Sequence, residues 1–208
     1  ITARLICDLL VKSGIEEVIL MDIHAGQIQG FFDVPVNHLY AFPIARDYFI
    51  KKYNKKNLII ASPDAGGMER ARAFAKRSNI VDLAMTDKRR PAPNVAEITN
   101  VIGNVKGKYV LLIDDIIDTG GTAAKSAEAL IKAGAKGVSM FCTHGVLSGN
   151  AIQNIQNSSI DELIITDTIN NQAKLKKIMK IRVLSVADLF AKALRRIINK
   201  KSISNLFS

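Results

Sequence analysis

The chain has 208 residues, enough for one good-sized core or for one domain and part of another. Lys and Arg number 29 against 19 Asp and Glu, yet aromatics are only 6% and Trp is absent, which argues against nucleic acid. The net charge of +10 is read instead as a solvated helical surface that attracts polyanionic small substrates, and no apolar run approaches the roughly 18 residues of a membrane span.

Strand-like and helix-like segments alternate along the chain, which predicts an α/β fold with a mainly parallel sheet. The first half reads as helix 2–13, strand 17–21, helix 44–53, strand 57–62, helix 68–77 and strand 80–85. The second half reads as strand 108–113, helix 122–133, strand 137–143, helix 149–155, strands 162–166 and 181–184, and helix 186–198. Polar loops 22–30, 63–67, 86–94 and 114–122 each follow a strand, so they are expected to converge on one edge of the sheet. Cys7 and Cys142 stand far apart without a CxxC pair, and are read as buried inert thiols in a reducing cytoplasm. The chain starts at Ile1 in an amphipathic pattern (Leu5, Ile6, Leu9, Leu10), with neither an initiator Met nor a signal-peptide pattern, and is read as a piece of something longer.

The run from Val110 to Thr122 carries the most chemistry. An apolar strand is expected to deliver Asp114 and Asp115 at its end, and Asp118-Thr119-Gly120-Gly121-Thr122 then enters a helix. Adjacent carboxylates accept hydrogen bonds from a vicinal diol and repel phosphate. The glycines let bare backbone N–H groups approach an anion, the threonines add hydroxyls, and the helix dipole points its positive end at the same place. A diol clamp beside an anion cradle suits a ribose 5-phosphate; the bland alternative is an Asp-rich turn that caps a helix.

Segment 62–72 repeats this logic. Gly66 and Gly67, with Ala65, sit at a helix entry as a second cradle, suited to a diphosphate, and Asp64 is a candidate for a divalent metal or a metal-bound water. A plain capped turn is the alternative there. Asp22-Ile23-His24 places a carboxylate and an imidazole after a strand, suited to a metal–nucleotide complex, though a satisfied core histidine accounts for it equally well. Lys88, Arg89 and Arg90 form a basic triplet in a proline-stiffened loop, either a solvated charge run or a mobile cover for a transferring phosphoryl group. Walker A, GxGxxG, GxSxG and HExxH patterns are absent.

The 110–122 run resembles the ribose-phosphate loop shared by type I phosphoribosyltransferases and ribose-phosphate diphosphokinases (phosphoribosyl-pyrophosphate synthetases). Segment 22–37, with Asp22-Ile-His24, Gln27-Ile-Gln-Gly-Phe-Phe32 and Pro35, is similar to the diphosphokinase signature, which the transferases lack. Asn37 stands where that signature has Asp, so no metal role is carried onto position 37. The 86–97 segment resembles the family's flexible catalytic loop, and the likeness runs through the closing 204–208.

The resemblance implies a phosphoribosyltransferase-like sheet flanked by helices, with the remnant of a second similar domain. Residues 1–40 would be that remnant, 41–198 the C-terminal domain, and 199–208 a tail packing on the N-terminal domain. It implies Mg²⁺-dependent transfer of the diphosphoryl group of ATP to the C1 hydroxyl of ribose 5-phosphate, giving phosphoribosyl diphosphate and AMP. Lys88 and Arg90 take the catalytic positions. Arg90, Asp114, Asp115, Asp118, Thr119, Gly120, Gly121 and Thr122 take ribose 5-phosphate, Asp64, Ala65, Gly66 and Gly67 the diphosphate, and His24, Asp64 and secondarily Asp22 the metal. A cytoplasmic homo-oligomer (in the family, a hexamer of dimers) is implied, as is weak turnover by this piece alone. A phosphoribosyltransferase and a non-catalytic regulatory subunit of the synthetase are the rival readings.

Overall fold

A computed structural model describes residues 1–92 and 95–207, with the side chains of 88–92 and 95–99 left aside. The chain divides into two compact units, Ile1–Ala41 with Leu189–Ser208, and Phe42–Asp188.

In the first unit, α1 (Thr2–Lys12) is followed by β1 (Val18–Met21) and β2 (Val36–Leu39), a parallel pair in which Val18 lies opposite Val36 and Met21 opposite Leu39. A 3₁₀ turn over Gly26–Phe31 lies within the connection. β2 is not among the sequence-predicted elements, because its four residues, Val36-Asn37-His38-Leu39, carry no period-2 alternation. Asp22 ends β1 with a left-handed φ of 39°, which a short polar side chain tolerates. Its carboxylate accepts from the Ala41 N–H at 2.8 Å, tying the ends of the two strands together. The tail contributes Phe207, whose ring meets Tyr40 edge to face at 5.5 Å. On α1 the apolar stripe Leu5, Ile6 and Leu9 is exposed.

The second unit is built on a seven-stranded sheet. In chain order it contains α2 (Phe42–Lys52), β3 (Leu58–Ser62), α3 (Met68–Ser78), β4 (Leu83–Ala92), β5 (Val95–Ile102), β6 (Tyr109–Ile117) and α4 (Gly121–Lys132). Then come β7 (Gly137–Gly145), α5 (Ala151–Gln156), β8 (Ile160–Thr166), the short α6 (Gln172–Leu175) and β9 (Ile181–Leu184), and α7 (Ala187–Ile198) leads out of it. The strand order is β5-β4-β3-β6-β7-β8-β9, and every neighbouring pair is parallel except β4 with β5. The α/β expectation holds.

Both faces of the sheet are covered, so its central strands read as continuous apolar runs: all five residues of β3 are buried. One face (Ile59, Ala61, Val110, Leu112, Met140, Cys142, Leu163, Ile165) packs with Ala127 and Leu130 of α4 and Ile155 of α5. The buried residues of α4 recur at 123, 126, 127 and 130, the spacing of one helical face. Alternate residues Ile60, Leu111 and Ile113 are buried as well, as are Ala71, Phe74 and Ala75 of α3. Cys7 and Cys142 are buried and free.

Two predicted boundaries need correction. Positions 86–92 were expected in a loop, but they continue β4, which pairs antiparallel with β5 from Met85 opposite Ile102 to Ala92 opposite Val95. The β-branched residues of β5 supply the missing partner strand, and its register shifts beside 87/88 and between 89 and 92 absorb the proline. β6 was expected to stop at 113. It runs to Ile117 because β7 is equally long and pairs with it as far as Gly145, so Asp114 and Asp115 lie within the strand rather than at its end.

Candidate functional site

Asp114 and Asp115 are adjacent on β6, and their surroundings differ. The Asp115 side chain is 2% exposed and that of Asp114 is 25% exposed. Asp115 accepts the Ile116 N–H on Oδ1 at 2.8 Å, and Asp114 accepts the Asp115 N–H on Oδ1 at 2.9 Å. Arg70, on the first turn of α3, reaches both: Nη2 lies 2.8 Å from Asp115 Oδ2, and Nη1 lies 3.5 Å from Asp114 Oδ1. Burial, helped by the hydrogen bond and charge of Asp115, raises the Asp114 carboxyl to about 7, with the Arg70 charge acting against that rise. Burial also pushes the Cys142 thiol up, so this neighbour is inert.

After β6 the chain turns through Asp118 and Thr119 into α4. Gly120 caps the helix at φ +72°, and a Cβ there would stand 3.3 Å from the Ala151 carbonyl oxygen and from the Ile155 side chain. Only glycine fits this turn without strain. The N-cap position is a glycine, so it offers α4 no side-chain cap. The Asp118 carboxylate accepts a hydrogen bond from the Ser148 hydroxyl. Asn154 of α5 donates to the Thr119 carbonyl at 2.8 Å, fixing the other side of the turn.

The Ser62–Gly67 turn is built differently. Asp64 Oδ1 accepts the Gly67 N–H at 3.1 Å, and the Ser62 hydroxyl donates to the Asp64 carbonyl at 2.6 Å. A Cβ on Gly67 would fall 2.5 Å from Ser62 Oγ, which makes this glycine obligatory for packing. Ala65 and Gly66 are exposed. The buried Thr86 hydroxyl donates to the Pro63 carbonyl at 2.7 Å and lies 3.0 Å from the Ser126 hydroxyl of α4, so it locks the turn, β4 and α4 together.

Asp64, Ala65, Gly66, Gly67, Asp114, Asp115 and residues 118–122 therefore lie in one unit, on the C-terminal ends of the adjacent strands β3 and β6. Lys88 and Arg90 are on β4 of that unit, and their side chains lie outside the described residues. Asp22 and His24 belong to the other unit, where His24 is exposed and Asp22 serves the Ala41 N–H. Among the described residues no three His, Cys, Asp or Glu side chains cluster as a ready-made metal cage. Asp64 still fits Mg²⁺, which takes one or two carboxylates together with substrate phosphate oxygens and water.

Arg70, Thr86, Ser148 and Asn154 carry no role in the sequence reading, although each contacts the site. Arg70 had a usable signal: it follows Gly67 by three residues, on the helix face that turns back toward the loop. The others act across the sheet and have no local signature.

Residues 78–208 match the model of the phosphoribosyl synthetase-associated domain family. The chain is 51% identical over its whole length to the ribose-phosphate pyrophosphokinase of Clostridium acetobutylicum, of which it covers 65%. It is 49% identical, again over its whole length, to that of Haemophilus influenzae, of which it covers 66%. In three dimensions it superposes on the phosphoribosylpyrophosphate synthetase from Mycobacterium smegmatis with a TM-score of 0.86 at 37% identity, over 96% of this chain and 64% of that one. The chain thus spans about two thirds of the length of the proteins it matches, a share of 65% in the first case. With the family model covering well over half of it, the chain belongs to the phosphoribosyl synthetase family.

Proposed function

We propose that this chain carries the ribose 5-phosphate side of a ribose-phosphate diphosphokinase, which transfers the diphosphoryl group of ATP to the C1 hydroxyl of ribose 5-phosphate. The observation that supports this most is the acid pair Asp114 and Asp115, the second of them buried, followed by the Asp118–Thr122 turn whose glycines open α4. The pair Asp114 and Asp115 accepts the ribose hydroxyls, while Asp118, Thr119, Gly120, Gly121 and Thr122 surround the 5-phosphate with backbone and hydroxyl donors. Ala65, Gly66 and Gly67 border the diphosphate. The sugar hydroxyl oxygen attacks the β-phosphorus, the bridging bond to the α-phosphate breaks, AMP leaves, and the hydroxyl proton is released. Lys88 and Arg90 neutralise the charge that builds on the transferring group, with Arg90 also touching ribose 5-phosphate. Asp64 in the one unit, and His24 and secondarily Asp22 in the other, are the candidate groups for Mg²⁺, whose part would be to neutralise the triphosphate.

On the same reading, residues 1–40 and 199–208 belong to the nucleotide side and 41–198 to the ribose side, the protein works as a cytoplasmic homo-oligomer, and this chain alone turns over slowly. Phosphorus NMR of the full-length protein with Mg²⁺, ATP and ribose 5-phosphate tests the reaction. AMP and phosphoribosyl diphosphate appearing together support it. ATP left unchanged while ribose 5-phosphate binds would favour a regulatory subunit instead. Lys88→Ala is expected to lower turnover by orders of magnitude with little change in ribose 5-phosphate affinity; equal loss of both would move Lys88 into ground-state binding.

A further inference from the structure

We infer that Arg70 is a positioning residue of the ribose site, holding the Asp114–Asp115 pair as acceptors for the sugar hydroxyls. This rests on the proposed function and deepens it, since none of the residues assigned there explains how two adjacent buried acids stay available as acceptors.

The geometry carries the inference. Two carboxylates next to one another, one of them 2% exposed, repel each other in a medium that screens poorly, and such a pair tends to keep a shared proton. A protonated, rotating carboxyl is a poor partner for a diol, because it offers a donor where the ligand also brings donors. Arg70 is the cation that meets both acids among the described residues, and the contact is forked, with one guanidinium nitrogen to each carboxylate. A planar, permanently charged fork suits this task; a lysine ammonium, a single point, cannot reach both with the same geometry. The Asp115 carboxylate is already engaged by Arg70 and by the Ile116 N–H, so the more exposed Asp114 is the member that a ligand reaches first. Arg70 is rooted in α3, three residues after Gly67 at the head of the second glycine turn. The residue that sets the sugar acceptors is thus built into the element that borders the diphosphate.

A structural role and a positioning role predict different ligand preferences. Titration calorimetry of the chain with ribose 5-phosphate, 2-deoxyribose 5-phosphate and inorganic phosphate separates them. The unsubstituted chain is expected to prefer ribose 5-phosphate over the deoxy sugar by about tenfold to a hundredfold, the range of a hydrogen bond to a charged group. In Arg70→Met that preference should fall toward one, while phosphate affinity stays within about twofold because the glycine turn of α4 is untouched. Arg70→Lys keeps a compensating charge, so it serves if Arg70→Met does not fold, and it should recover only part of the preference. A full preference retained in either folded variant overturns the inference. So does a loss of phosphate binding parallel to the loss of sugar binding, which would make Arg70 a prop of the fold. No ribose 5-phosphate binding by the unsubstituted chain removes the proposed function and this inference with it.

Discussion

Two turns of this protein are written in nearly the same residues, a buried strand, an acid, paired glycines and a helix, yet they meet different physical ends. In the Ser62–Gly67 turn the acid folds back, and Asp64 accepts the Gly67 N–H. In the Asp118–Thr122 turn the acid accepts from the Ser148 hydroxyl instead. The first turn is closed on itself by its own acid. The second is open in that sense, its acid bonded to a residue outside the turn. Upstream of it the Asp114–Asp115 pair is held in a state that costs folding energy, the usual signature of a site kept for ligand rather than for the fold. The same sequence pattern is therefore tied down in two different ways, and the neighbours decide which.

Asp64 of the closed turn and Asp114 upstream of the open one should have opposite effects on stability. The Asp114 carboxyl is raised from 3.8 to about 7, so between those values the folded chain holds a proton that the unfolded chain has lost. Its contribution is full below pH 3.8 and is lost as pH rises through about 7. Asp114→Asn should leave stability near pH 4 unchanged and raise it at pH 8, by on the order of 2–4 kcal/mol, in urea unfolding at the two pH values. A destabilised Asp114→Asn at pH 8 would break the contrast. Gly67→Ala comes next: its Cβ would displace the Ser62 hydroxyl from the Asp64 carbonyl, at a cost of about 1–3 kcal/mol in the same assay. Asp64→Ala removes the acceptor of the Gly67 N–H and should lose about 1 kcal/mol, a loss opposite in sign to the gain from Asp114→Asn. Ser148→Ala is the gentlest. It frees the Asp118 carboxylate to approach the α4 entry, so stability should change by less than about 0.5 kcal/mol while phosphate binding weakens by competition. Phosphate binding unchanged in Ser148→Ala would show that Asp118 is not held off by that hydroxyl.

How much of this was legible in the residues depends on how local each feature is. The apolar run of β6, the acid pair and the double glycine lie within one short stretch, and both the chemistry and the α/β alternation could be read there. The β4–β5 hairpin was missed because prolines at 91 and 93 read as loop punctuation, whereas the partner strand that overrides them lies further on. The reach of β6 to Ile117 depends on the length of β7, which no local period reports. Arg70, Thr86, Ser148 and Asn154 are ordinary residues in their own segments and gain their roles only when the sheet brings segments together.

The central claim is that the open turn, and not its closed twin, takes the sugar phosphate. Amide chemical-shift mapping of the labelled chain during titration with ribose 5-phosphate tests it directly. The account predicts that the N–H signals of Thr119, Gly120, Gly121 and Thr122 move together with those of Asp114 and Asp115, while Gly67 stays near its free position. Movement at Ala65, Gly66 and Gly67 with the 119–122 amides unmoved would contradict it.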